Sequence, residues 1–198
     1  MVRIIGITGG IASGKSTVTE FLRQQGYQVI DADQVVHELQ EPDGRLYQAL
    51  LSAFGSAILQ EDGRLDRPKL GAMIFGNPEL LAQSSQIQNQ IIREELAHRR
   101  DLLAETEDIF FMDLPLLFEL GYESWFDQIW LVDVTEETQL SRLMTRNALS
   151  QEEAEKRIAA QLSLQEKRNR ADVLIDNNGP LEHTQEQLRD TLQKLERR

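Results

Sequence analysis

The first seventeen residues constrain the fold more than any other stretch. Met1-Val2-Arg3-Ile4-Ile5-Gly6-Ile7-Thr8 is a β-branched run of the kind that forms a buried parallel strand. It passes directly into Gly9-Gly10-Ile11-Ala12-Ser13-Gly14-Lys15-Ser16-Thr17, a Gly, four residues, then Gly-Lys-Ser, which is the pattern of a phosphate-binding loop. Val18, Phe21 and Leu22 follow at helical spacing. Gly9 and Gly14 permit backbone conformations that a side chain would block, so successive N–H groups can converge on an anion. A helix starting near Lys15 adds its positive dipole end. Lys15 can bridge the β- and γ-phosphates, and the Ser16 hydroxyl is the expected Mg²⁺ ligand. A glycine-rich turn without a ligand would leave the order of strand, loop and helix unexplained. The feature predicts a nucleoside triphosphate site and leaves the destination of the phosphate open.

Tyr27 to Ile30 reads as a strand running into Asp31-Ala32-Asp33, and open α/β sheets bind ligands at the carboxyl ends of their strands. Asp33 is a candidate general base and Asp31 a candidate for organising water or metal; either one could instead cap a helix over residues 34–40. From Pro42 to Glu105 the pattern turns helical. Residues 45–54 form one helix, Asp66 caps another at Arg67-Pro68, and Gly76-Asn77-Pro78 breaks the chain before a long polar helix. This region reads as a helical insertion over the acceptor substrate. Its basic residues (Arg64, Arg67, Lys69, Arg93, His98, Arg99, Arg100) either meet an anionic substrate or form solvated faces.

Ile109 to Met112 is a third strand. It ends at Asp113, which is either the second carboxylate of the phosphate site or a turn residue before Pro115. Leu116, Leu117 and Phe118 pack or line a channel, and the pattern assigns Glu119 no role. A fourth strand spans residues 128–134 and a helix residues 136–146. Ser150-Gln151-Glu152-Glu153 is a capping box opening a helix to about Leu162.

The chain carries 21 Lys and Arg against 33 Asp and Glu, a net charge of −12, which disfavours nucleic acid as a partner. Residues 142–170 reverse that balance, with seven basic residues against four acidic ones, a net of +3. Arginines on a helical lid can neutralise a transferring phosphoryl group. Ion pairs such as Glu152 with Lys156 and Glu153 with Arg157 explain part of the excess. Arg142 and Arg146, one turn apart on the preceding helix, remain the candidates for phosphate. A fifth strand at residues 171–176, a turn at Asn177-Asn178-Gly179-Pro180 and an amphipathic helix at residues 181–198 complete the pattern. No cysteine is present, so disulfides and thiolate metal sites are excluded. The N-terminal residues read directly as a core strand, so no signal peptide or transit segment is expected, and no apolar run is long enough to span a bilayer. The expectation is a soluble cytoplasmic protein that acts on small molecules without a membrane or nucleic-acid partner, as a monomer or weak homo-oligomer.

With the motifs in place, the sequence resembles the dephospho-coenzyme A kinase family. The resemblance rests on Ile7 to Thr17, Ile30 to Asp33, Pro115 to Glu119, Gln139 to Arg146, Ala159-Ala160-Gln161 and Ala171 to Asn177. It implies an α/β P-loop kinase with a five-stranded parallel sheet flanked by helices. Residues 1–41, 106–147 and 171–198 would form the nucleotide core, 42–105 the helical acceptor domain and 148–170 the lid. It implies Mg²⁺-dependent transfer of the ATP γ-phosphoryl group to the ribose 3′-hydroxyl of dephospho-coenzyme A. Gly10, Ile11, Ala12, Ser13, Gly14, Lys15, Ser16 and Thr17 would hold ATP, with Arg142 and Arg146 on its phosphates. Lys15 and Arg142 would assist transfer, Asp33 would be the base, and Thr8 would lie near the transferring group. Family members often carry a His-Pro pair in the helical insertion; the matching place here is Asn89-Gln90, so Asn89 is the expected acceptor contact. The alternatives are another P-loop small-molecule or nucleotide kinase and a nucleotide switch. The chain has no Asn-Lys-x-Asp motif for reading guanine, which weakens the switch.

Overall fold

The structure is a computed structural model and describes residues 2–197. Five strands form one parallel sheet: β1 (Arg3–Gly9), β2 (Val29–Asp31), β3 (Ile109–Asp113), β4 (Gln128–Asp133) and β5 (Val173–Asp176), in the order β2-β3-β1-β4-β5. β1 sits at the centre. Ile5 pairs with Phe111 on one side and Gln128 on the other. Both neighbours of β1 are themselves central, which is why β1, β3 and β4 are almost continuous apolar runs.

Nine α-helices are present among the described residues: α1 (Lys15–Gln24), α2 (Ala32–Leu39), α3 (Arg45–Phe54), α4 (Arg67–Ile74), α5 (Pro78–Ala104), α6 (Glu136–Asn147), α7 (Gln151–Ala159), α8 (Leu164–Arg170) and α9 (Leu181–Glu196). The chain divides into two compact units, Met1–Ile30 with Ala104–Arg198, and Asp31–Leu103. No described helix is long and apolar enough to cross a membrane.

In the first unit the core forms where α1 and α9 cover one face of the sheet. Val18, Phe21 and Leu22 of α1 and Leu188, Leu192 and Leu195 of α9 pack with Ile5, Ile7, Phe111, Trp130, Val132 and Ile175. Phe111 meets Tyr27 and Trp130 edge to face, with ring centroids 5.3 Å apart in each pair. Fixing that face fixes β1, and hence the start of the loop that follows it.

The second unit is helical, as its composition predicts. Leu46, Tyr47, Leu50, Ile58, Leu65, Leu70 and Leu96 are among its buried residues. Asp66 caps α4 through the Lys69 N–H, with Pro68 in the first turn. Leu59 and Leu65 form one isolated antiparallel bridge. The unit starts at Asp31, ahead of Pro42, because α2 packs with α3.

Two differences from the sequence pattern concern the lid region. The helix opened by Ser150 ends at Ala159 rather than near Leu162, and a separate helix, α8, follows. Ser163 caps α8 with its own capping box, in which Glu166 returns the bond. The signature Ser-x-x-Glu is present in the sequence, but the neighbouring cluster of charges masks it.

Candidate active site

The phosphate loop occupies the junction of β1 and α1. Gly14 is the N-cap of α1 with φ +84°, a left-handed conformation that favours glycine. A Cβ there would also lie 2.3 Å from the Asn177 side-chain amide nitrogen. Gly9 is required by close approach: a Cβ would fall 2.3 Å from Ser13 Oγ and 3.0 Å from both Lys15 Cγ and the Val132 carbonyl. Ala12 also takes a positive φ, +61°, which turns the loop back on itself. The loop therefore has one tightly packed shape.

Its outer side is held by side chains from other elements. Gln139 of α6 donates to the Ile11 carbonyl at 2.9 Å, and the Gln161 side chain accepts from the Ile11 N–H at 2.9 Å. Asn177, just after β5, donates to the Ser13 carbonyl at 2.8 Å and accepts from Thr184 of α9 at 3.0 Å. Arg142 donates to the Asn177 carbonyl at 2.9 Å. Gln139, Gln161 and Asn177 were not singled out from the sequence as site residues. All three belong to motifs that carry the resemblance, Gln139 opening one and Gln161 and Asn177 ending two others, which was the available signal.

Six of the ten predicted nucleotide residues border one cavity. A cavity of about 580 Å³ is lined by Ala12, Gly14, Ser16, Thr17, Arg142 and Arg146, with Ser141, Thr145, Asn177, Gly179 and Leu181 completing the wall. Lys15 Nζ lies 3.5 Å from the Asp113 carboxylate at the end of β3. Thr8 is buried, and its hydroxyl donates to the Pro115 carbonyl at 3.3 Å. The loop at 177–180 is pinned rather than loose. Asn178 donates through its backbone N–H to Asp176 at 2.9 Å, which holds that carboxyl below its ordinary range, and its side chain accepts from the Thr135 N–H at 2.8 Å.

In the lid region, Glu152 and Lys156 pair at 2.7 Å on a solvated face. Glu153 turns its carboxylate to the Ser150 N–H at 2.8 Å and lies below its ordinary range, first through that bond and also through the Arg157 charge. Arg168 binds Asp133 at the end of β4, at 2.8 and 3.0 Å.

The second unit carries the remaining predicted residues. Asp31 is the cap of α2, accepting from the Gln34 N–H at 3.1 Å. Asp33 is exposed in the first turn of the same helix. Asn89 is exposed midway along α5. Among the basic residues, Arg99 bridges Glu38 and Glu95 at 2.6 and 2.8 Å, and Lys69 pairs with Asp66 at 3.5 Å. A cavity of about 270 Å³ in this unit is lined by His37, Gln40, Glu41, Gln60, Arg64 and Arg67.

A phosphate loop alone leaves the acceptor undefined, and relatives narrow it. The dephospho-CoA kinase (CoaE) family model matches residues 3–183. The chain belongs to the dephospho-CoA kinase family. A curated member from Streptococcus mutans, named dephospho-CoA kinase, is 61% identical over 196 residues, covering 99% of both chains. Among solved structures, TT1252 from Thermus thermophilus matches with a TM-score of 0.82 at 36% identity, over 98% of each chain. Dephospho-CoA kinase from Campylobacter jejuni matches with a TM-score of 0.76 at 27% identity, also over 98% of each.

Proposed function

We propose that the chain is an ATP-dependent dephospho-coenzyme A kinase, which transfers the γ-phosphoryl group of ATP to the ribose 3′-hydroxyl of dephospho-coenzyme A. The observation that carries this reading is the family match over residues 3–183, on a chain in which Ala12, Gly14, Ser16, Thr17, Arg142 and Arg146 line one cavity.

The amides of Gly10 to Thr17 cradle the triphosphate at the positive end of α1. Lys15, Arg142 and Arg146 neutralise its oxygens, and Lys15 and Arg142 follow the charge that shifts toward ADP during transfer. Asp33 accepts the proton of the attacking hydroxyl. The cap of α2 is supplied by Asp31, so the Asp33 carboxylate is not committed there. Residues 42–105 hold the acceptor, with Asn89 as one contact, and residues 148–170 act as the lid. Thr8 supports the loop near the transferring group.

Among the described residues no group of three or more His, Cys, Asp or Glu is arranged to hold a metal ion. That suits Mg²⁺, which is bound by few protein donors and by substrate phosphates. The Ser16 hydroxyl, exposed at the start of α1, and the Asp113 carboxylate beside Lys15 would hold it. Mg²⁺ supplies charge neutralisation on the triphosphate.

The reading places the enzyme in the cytoplasm, on small-molecule substrates, without nucleic acid, and as a monomer or weak homo-oligomer. Its test is ADP release from Mg²⁺-ATP with and without dephospho-coenzyme A, with the product mass measured. Acceptor-dependent ADP and a gain of one phosphate are expected. A folded, ATP-binding protein that releases no acceptor-dependent ADP overturns the substrate and leaves another small-molecule or nucleotide kinase, to be found with an acceptor panel.

A further inference from the structure

The mechanism does not use the most deeply buried cation among the described residues. Lys167 of α8 is fully buried, although lysine is rarely so unless paired. Its Nζ lies 2.8 Å from the Glu119 carboxylate and 3.5 Å from the carbonyls of Gly9 and Pro115. Gly9 opens the phosphate loop, and the Pro115 carbonyl also receives the Thr8 hydroxyl.

Glu119 holds both ends of the segment that carries this lysine. The same carboxylate oxygen that meets Lys167 accepts the Leu162 N–H at 3.1 Å. Its other oxygen is buried with no hydrogen-bond partner among the described residues. Around those two anchors, residues 161–167 meet the loop at three places. The Gln161 side chain takes the Ile11 N–H, the Leu164 side chain lies 3.1 Å from where a Gly10 Cβ would be, and Lys167 reaches the Gly9 carbonyl.

We propose that Glu119 and Lys167 are positioning residues for phosphoryl transfer, a buried ion pair that seats α8 on the phosphate loop and fixes the Gly9–Gly10 peptide. A trans peptide points its C=O and N–H in opposite directions. A charge holding the Gly9 carbonyl therefore sets the direction of the Gly10 N–H, the first amide of the loop. A pair of this kind is weak evidence for stability as such. Taking both charges from water is costly, and replacing a buried pair with apolar groups is often neutral. Its function is the better reason for it: the position of the loop is worth orders of magnitude in rate, since small misplacements at a reacting centre can cost about 10²-fold.

The assignment rests on the kinase reading, and the test separates the two. The variants are Lys167→Met, Lys167→Arg and the double variant Glu119→Leu with Lys167→Met. Thermal melting, kcat, KM for each substrate, and calorimetric affinity for a non-hydrolysable ATP analogue are measured on each. Lys167→Met is expected to lose stability and at least about tenfold in kcat, with KM for the acceptor unchanged. Lys167→Arg should recover most of kcat, because the charge returns. The double variant should recover the melting temperature and keep the losses in kcat and analogue affinity. A folded double variant with wild-type kcat and analogue affinity overturns the proposal and makes the pair structural only. If Lys167→Met does not fold, the double variant and Lys167→Arg still decide. If the wild-type chain proves inactive on dephospho-coenzyme A, the kinase reading fails while analogue affinity still tests the seating of the loop.

Discussion

At the scale of single residues, the site depends on which carboxylate is left over. Two acids flank Ala32, and an N-cap needs only one side-chain acceptor. Asp31 fills that place, accepting from the Gln34 N–H, and Asp33 keeps an exposed carboxylate for proton transfer. Removing a general base costs about 10²- to 10⁴-fold in rate. Asp33→Asn is therefore expected to reduce turnover by that order while ATP affinity, measured by calorimetry, stays near wild type. Turnover within a few-fold of wild type would remove Asp33 from the base's role. Gly9 makes a second case. A methyl group there would press on Ser13, Lys15 and the Val132 backbone together, and a packed β-strand end has little room to yield. Gly9→Ala should weaken ATP binding and lower kcat by at least about tenfold, through displacement of Lys15. Wild-type ATP affinity in a folded Gly9→Ala protein would show that the loop relaxes around the methyl.

At the scale of elements, two short helices with the same cap do different things. Ser150 opens α7 and Ser163 opens α8, each with a reciprocal glutamate. α7 presents a solvated face, with Glu152 and Lys156 both largely exposed. α8 packs Leu164 and Lys167 into the protein against the phosphate loop. Loss of either cap costs about 0.5–2 kcal/mol, so Ser150→Ala and Ser163→Ala should lower the melting temperature by similar, small amounts. Only Ser163→Ala should also lower kcat, by about a few-fold, because only α8 seats the loop. Equal kcat in the two variants would separate α8 from loop position. This contrast also marks how far the sequence could be read. The strands, the loop and the caps at Asp66 and Ser150 were legible because each rests on local spacing. The second capping box was equally local but lay inside a charged stretch that reads as a continuous lid. Lys167 was legible only as one of seven positive charges, since nothing local distinguishes a solvated lysine from one drawn 158 residues back to Gly9. Gln139, Gln161 and Asn177 hold the loop through long-range contacts of the same kind, which spacing does not encode.

At the scale of the whole molecule, folding changes how the chain binds protons in acid. Four carboxyls are held below their ordinary values in the folded state. Glu38 is lowered chiefly by its hydrogen bond from Arg99, and Glu94 by those from Gln90 and then Arg45. Glu153 is lowered by the Ser150 N–H and Asp176 by the Asn178 N–H. Their ordinary values are 4.5 for the glutamates and 3.8 for the aspartate. Below those values the unfolded chain binds more protons than the folded one, so stability falls as pH falls. Above them both states are ionised and the contribution is complete. A second effect runs the other way at first. The net charge of −12 shrinks as carboxyls protonate, which relieves self-repulsion in the compact state. That relief begins with the first protons taken up below neutrality, whereas the loss from the lowered glutamates belongs below their ordinary value of 4.5. Melting temperature should therefore stay level or rise slightly from about pH 7 to about pH 5, then fall steadily toward about pH 3. All four groups lie near the surface, so each loss is modest and screened. In about 1 M NaCl the early rise should vanish, because repulsion between exposed charges is then screened out. The acid fall should persist in part, since two of the four depressions come first from backbone N–H donors, which are not ions. Melting curves across this range at low and high salt check the prediction. A melting temperature unchanged down to about pH 3 would mean that the four carboxyls make the same contacts in the unfolded chain.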